Sequence, residues 1–232
     1  MVISSPTFRI ATTPQSERDD FAELTLVGRV SFKVDSNSTR TDSATATTLL
    51  RASLEEHLEA IQRLLQSRIP EIEDAGELIC ATLRQGHKVL LCGNGGSAAD
   101  AQHIAAELVG RYESERRAWP AVSLTTDTSA LTALSNDYGY EDVFARQVQA
   151  LAVAGDVLLA LSTSGTSANV IKAVRKASQL GCKTIALTGG IGEPLASLCD
   201  LAVIVPSTRT SRIQEAHITI GHLWCELVDA KL

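Results

Sequence analysis

The chain has 232 residues, 44% of them hydrophobic and 21% charged, which is ample for one generous core and excludes wholesale disorder. Aromatics are only 4%, against a nucleic-acid binder built on stacked bases, and the net charge of −6 gives no global pull on phosphate backbones or anionic membranes. Any phosphate site must therefore be local.

Residues 1–48 differ in tone from the rest, being rich in Ser, Thr and Asp and ending in DSNSTRTDSATATT. They read as a weakly ordered extension, with one alternating stretch, LTLVGRVSFKV, of strand-like pattern. From residue 49 onward the composition is that of a folded domain. Ser53 and Glu56 have the spacing of a capping box, and Leu54, Leu58, Ile61 and Leu65 follow at helical period. Pro70 opens a second predicted helix with Ile72, Ala75, Leu78, Ile79 and Leu83 on its inner face, and Gly86 ends it.

From Lys88 short apolar runs (VLLC, AVSL, VLLAL, TIAL and LAVIV) alternate with helical stretches such as AADAQHIAAELVGRY and SANVIKAVRKASQLG. Strands apolar throughout are covered on both faces, and strand–helix alternation demands a doubly wound parallel sheet with right-handed crossovers. Ligands then sit at the carboxyl ends of strands. The five cysteines, Cys80, Cys92, Cys182, Cys199 and Cys225, form no CxxC pair and read as small core hydrophobes. No apolar run approaches the ~20 residues of a bilayer span, and MVISSPTFRI lacks the regions of a secretory leader, so a soluble cytoplasmic protein is expected.

Two loops at strand ends carry phosphate-binding chemistry. The first, GNGGSAAD, formally matches G-x-G-x-x-A through Gly93, Gly95 and Ala98. A dinucleotide site also needs an acidic residue about 20 positions on, at a strand end, whereas that distance falls in YESERR. No nucleotide cofactor is expected. The second loop, STSGTSANV, sets the hydroxyls of Ser162, Thr163, Ser164 and Ser167 about Gly165, just before a helix. Hydroxyls, inward-turned amides and a helix N-terminus can hold a phosphate monoester without Lys or Arg.

His103 and Glu107 stand four apart on the helix after the first loop and share a face; taken alone, such a pair is ordinary surface decoration. In RIQEAHITIGHLWCELV, Gln214 and His222 are separated by about 80° around the helix axis and can converge, whereas His217 and His222 are about 140° apart and cannot serve one point.

CGNGGS, SNDYGYEDVF, LSTSGTSANVIKAV and RIQEAH, in that order, resemble the bacterial phosphoheptose isomerases of the sugar isomerase (SIS) family, from about Ser53 to Leu232. The resemblance implies a flavodoxin-like, doubly wound, five-stranded parallel sheet preceded by helices and assembled as a homotetramer. It implies conversion of sedoheptulose 7-phosphate to D-glycero-D-manno-heptose 7-phosphate through an enediol, for surface-glycan precursors, with no membrane or direct nucleic-acid partner. Glu107 and His222 fall on the acid–base positions. His103, Glu107, Gln214 and His222 fall on positions that bind zinc in some members. Asn94, Gly95, Gly96, Ser97, Glu107, Asn136, Asp137 and Gln214 match substrate contacts, and Ser162, Thr163, Ser164 and Ser167 the phosphate cradle. One departure is Ser211, where many members have Asp. Ala98, Ala99 and the ERRAWPAVSLTTD stretch also resemble a sister branch that binds the replication initiator without catalysis.

Overall fold

The computed structural model describes residues 39–232, with side chains from Ala44 onward. The strand-like stretch at 24–34 and most of the extension expected over residues 1–48 lie outside the described residues. Two helices, α1 (Thr39–Ser67) and α2 (Ile69–Arg84), lead into β1 (Val89–Cys92), α3 (Gly96–Val109), β2 (Ala121–Ser123), α4 (Thr128–Tyr138) and α5 (Val143–Leu151). Then come β3 (Val157–Ser162), α6 (Ala168–Gln179), β4 (Lys183–Gly189), α7 (Leu195–Leu198), β5 (Leu201–Val205) and α8 (Thr210–Lys231).

All five apolar runs are strands, and every pairing is parallel in the order β2-β1-β3-β4-β5. The order reverses between β1 and β3, where Cys92 pairs with Ala160, so the loops leaving both strands open side by side. The strand pleat splits the core in two. Val89, Leu91, Leu159 and Leu161 face α2, α3 and α8 with Trp224 and Ile104, while Leu90, Cys92, Leu158 and Ala160 face α5 and α6 with Phe144 and Val170. Asp156, fully buried just before β3, receives the Lys88 ammonium at 2.6 Å and two backbone N–H groups, closing the opposite end of the sheet. All five cysteines are free, four of them buried.

The capping box at Ser53 is corrected. Helix α1 runs straight through Ser53 and Glu56, because no Gly or Pro interrupts the Ala- and Leu-containing run before them. Their polar groups are used across helices instead: Glu56 pairs with Arg209, and Arg212 donates to the Ser53 carbonyl and, at 3.2 Å, to its hydroxyl. The helical period on α1 is real, but Ala60 and Leu64 are its buried residues, while Leu54, Leu58 and Leu65 are more than half exposed.

His217 is wholly buried between α8 and β4. Its Nε2–H donates to the Thr188 carbonyl at 3.2 Å, Nδ1 finds no partner, and burial pushes its pKa down to about 4. The unfolded chain takes up this proton near pH 6.5, the folded chain not until about pH 4. Stability from this group is thus complete above pH 6.5 and lost as the pH falls towards 4. Urea titrations at fixed protein concentration should show His217→Gln, which keeps an N–H donor without titrating, losing about 2 kcal/mol less stability between pH 7 and pH 5 than the wild type.

Candidate active site

The first loop turns sharply out of β1. The Ser97 N–H donates to the Asn94 carbonyl at 3.0 Å, and α3 starts at Gly96 with no side-chain cap. A β-carbon on Gly96 would lie 2.4 Å from the Gln214 amide, so glycine here lets α8 lay Gln214 against the loop. Ser97 is buried beneath the turn, and Gly95 and Gly96 are exposed. Ser211 occupies the first turn of α8, one turn before Gln214.

The second loop closes on itself. Ser162 and Ser167 share a hydrogen bond at 3.0 Å, Ser164 and Thr166 another at 2.8 Å, and the Gly165 N–H donates to the Ser162 carbonyl at 3.1 Å. Gly165 has φ +71° and stands against the Gly192 backbone, leaving no room for a side chain. Ser167 is the N-cap of α6 but caps no amide with its side chain; the Val170 N–H is taken by Asn169 Oδ1 at 3.0 Å, which leaves the amides before it for a ligand. Thr163 is half-buried in the same turn.

Beyond the first loop, α3 and α8 lie side by side. His103 Nε2 is 2.9 Å from His222 Nε2 and 3.4 Å from a Glu107 carboxylate oxygen, so one imidazole nitrogen stands between the two expected acid–base groups within a single protomer. The Tyr112 ring packs tilted against His222, with ring centroids 5.3 Å apart. A guanidinium clamp holds this pairing. Arg116, itself nearly buried, donates to the carbonyls of Glu107 and Leu108 at the end of α3 and grips Asp229 of α8 at 2.6 Å. His217, as its angle on the helix requires, faces β4 and not this cluster.

Two imidazole nitrogens with a carboxylate fit zinc in donor type. Nitrogens on one tetrahedral zinc lie roughly 3.3 Å apart, so the 2.9 Å contact is a hydrogen bond that must open slightly to admit an ion. Among the described residues no three His, Cys, Asp or Glu side chains stand at ready metal spacing, and no hydrogen bond joins Gln214 to the pair. Asn136 and Asp137 sit on the exposed last turn of α4, hydrogen bonded to each other at 2.9 Å and, among the described residues, to no other site side chain.

Three neighbours carried no expectation. Asp100, one turn before His103, has its carboxyl pushed up to about 6 by burial, against the opposing pull of His103, and its Oδ2 has no partner. Buried Asn169, in the first turn of α6, exchanges amide hydrogen bonds with Asn94 at 2.9 Å in both directions. Tyr140, in the 3-10 turn Tyr140–Asp142 after α4, donates its hydroxyl to Asn94 Oδ1 at 2.9 Å. Both lie inside SNDYGYEDVF and SANV, but nothing in their spacing marks them as partners. Asp127, just past β2 and too far along the chain for a ribose ligand, caps α4 through the Ala130 N–H at 2.9 Å.

A parallel five-stranded sheet with a hydroxyl cradle and an imidazole–carboxylate cluster defines a phosphosugar protein of the SIS type, and the SIS domain family model matches residues 54–189. The phosphoheptose isomerase of Aliarcobacter butzleri is 55% identical over 176 residues, 76% of this chain and 93% of that protein. That of Aquifex aeolicus is 58% identical over 159 residues, 68% of this chain and 83% of its own. The solved phosphoheptose isomerases of Neisseria gonorrhoeae and Francisella tularensis superpose with TM-scores of 0.76 and 0.78 at 46% and 38% identity, each covering 80% of this chain and 99% of the other. The chain belongs to the phosphoheptose isomerase family of SIS-domain enzymes.

The Gly96 contact is testable. The atom that a new β-carbon meets is the far end of a flexible side chain, so Gly96→Ala should fold with a melting temperature within a few degrees of wild type. Displacing Gln214 from the first loop should lower isomerase turnover by at least about tenfold in a coupled assay, the scale of one to two hydrogen bonds.

Proposed function

We propose that this chain interconverts sedoheptulose 7-phosphate and D-glycero-D-manno-heptose 7-phosphate through an enediol, supplying heptose for surface-glycan precursors in the cytoplasm. The observation that supports this most directly is the meeting of Glu107 and His222 at His103 Nε2, where α3, which leaves the first loop, lies against α8. Among the described residues no helix is long and apolar enough to cross a membrane.

The ketose-to-aldose direction requires a proton to leave C1 and arrive at C2 while the hydroxyl and carbonyl exchange places. Glu107 takes the C1 proton and returns it to C2, the task of a general base on a positioned carboxylate. His222 relays the proton between the two sugar oxygens, with His103 setting its orientation. Ser162, Thr163, Ser164 and Ser167, with the open end of α6, hold the phosphate, while Asn94, Gly95, Gly96, Ser97, Asn136, Asp137 and Gln214 surround the sugar. Zinc held by His103, Glu107, Gln214 and His222 would supply a Lewis acid to a sugar oxygen. No nucleotide cofactor is required, because the reaction moves a proton and no net electrons. The alternative of a non-catalytic, initiator-binding assembly finds no support in the relatives named above, which all carry an isomerase name.

The proposed assembly is a homotetramer. Leu50, Leu54, Leu58 and Leu65, all above 60% exposed, lie within a stripe about 80° wide on α1. An exposed apolar stripe of this kind is the sort of surface that another protein covers, which supports self-association.

Purified protein should convert sedoheptulose 7-phosphate in a coupled assay, and Glu107→Gln should reduce kcat by about 10²–10⁴-fold, the usual yield of a general base. A loss under tenfold would overturn the role given to Glu107. Light scattering behind size exclusion should give a mass of four chains, and Leu54→Lys with Leu58→Lys should give smaller species; a wild-type monomer would remove the tetramer.

A further inference from the structure

The Asn94 amide is held in a hydrogen-bond ladder whose polarity can be deduced end to end. The Val170 backbone N–H, which can only donate, points at the Asn169 side chain at 3.0 Å and so fixes that atom as Oδ1. The other end of Asn169 is therefore Nδ2, which donates to Asn94 Oδ1 at 2.9 Å, while Asn94 Nδ2 donates back to Asn169 Oδ1 at 2.9 Å. The Tyr140 hydroxyl adds a second donor to Asn94 Oδ1 at 2.9 Å. A carbonyl oxygen has two lone pairs, and both are now taken; an amide nitrogen has two hydrogens, and one remains.

We propose that Asn169 and Tyr140 are positioning residues that lock Asn94 so that it can only donate to the ligand, offering one N–H and no acceptor. The proposal rests on the isomerase reading above. An obligate donor suits an oxygen that gains negative charge, the carbonyl becoming an enediolate, better than a neutral hydroxyl that would need its own proton accepted. The ladder also spans the switch point, since Asn94 leaves β1, Asn169 stands in the first turn of α6 beside the hydroxyl cradle, and Tyr140 follows α4. Asn169 is 4% exposed whereas Tyr140 is 57% exposed, so the two can be tested separately.

The experiment compares full-length wild type, Tyr140→Phe and Asn169→Asp in the coupled assay with sedoheptulose 7-phosphate, alongside a neutron structure of the unliganded protein. Tyr140→Phe should lower kcat about fivefold with KM within twofold and an unchanged melting temperature, because Asn94 Oδ1 loses one of its two donors and is left with a free lone pair. Asn169→Asp keeps the Val170 and Asn94 N–H bonds but sets a carboxylate oxygen against Asn94 Oδ1, and should lower kcat about 30-fold. Nuclear density should place the Asn94 nitrogen at the Asn169 Oδ1 end and the Tyr140 deuteron on Asn94 Oδ1. Values of kcat within twofold of wild type for both variants, or KM rising while kcat holds, would overturn the proposal. So would a neutron map with the Asn94 nitrogen facing Tyr140, whatever the assay gives. An inactive wild type would overturn the isomerase reading instead, and the ladder would then stand or fall on the neutron map.

Discussion

The site depends on how closely α8 lies on α3. Glu107 and His103 come from the helix that follows the first strand, His222 from the last helix of the chain, and nothing in sequence joins them. The join is made by packing: Trp224, Ile104, Ile220 and Cys225 are buried together on this face of the sheet. Arg116 then bridges the two helix ends by capping α3 carbonyls and pairing with Asp229. A nearly buried guanidinium with one partner removed is strongly destabilising, so the clamp acts as a registration device as much as a source of stability. With the helices so fixed, an imidazole pair at 2.9 Å follows from geometry.

The second constraint is the reversal of strand order between β1 and β3. In an open parallel sheet the loops on either side of such a reversal diverge above and below it and leave a crevice. Here one loop contributes a backbone turn and the amide of Asn94, the other five hydroxyls and a helix N-terminus that its N-cap side chain leaves uncapped. The Asn94–Asn169 exchange bridges that crevice at its base. Buried amides satisfied by one another are rigid, and rigidity at the base lets exposed groups at the mouth be aimed.

Much of this was legible because the strands are short, apolar throughout and punctuated by Gly and Ser, a pattern that only a doubly covered parallel sheet satisfies. The separation of His217 from His222 also followed from helix arithmetic, and the structure turns one to β4 and the other to α3. Local patterns misled where a motif has two uses. S-x-x-E caps a helix only if the chain before it is not helical, and the Ala- and Leu-containing residues ahead of Ser53 are. The apolar period on α1 marked a helix but not its buried side, because apolar residues recur at that period on its exposed stripe as well as against the core. Asn169 and Tyr140 were hidden for a different reason. Their significance is the pairing itself, across 75 and 46 residues of chain, and no spacing encodes it.

The proposed cradle would let a chain of net charge −6 hold a phosphate. The cradle contains no Lys or Arg, and Lys172, further along α6, is engaged with Glu141 and Asp142. Neutral donors bind an anion only when several converge, since each contributes about as much as one ordinary hydrogen bond. Convergence demands a fixed loop, which is why Gly165 is pressed on the Gly192 backbone and Ser162 is tied to Ser167. A lysine would hold phosphate from many positions, whereas hydroxyls hold it from one. Anchoring by shape in this way fixes where the rest of a ligand lies, and that is what a carboxylate on α3 requires if it is to reach one carbon and then its neighbour.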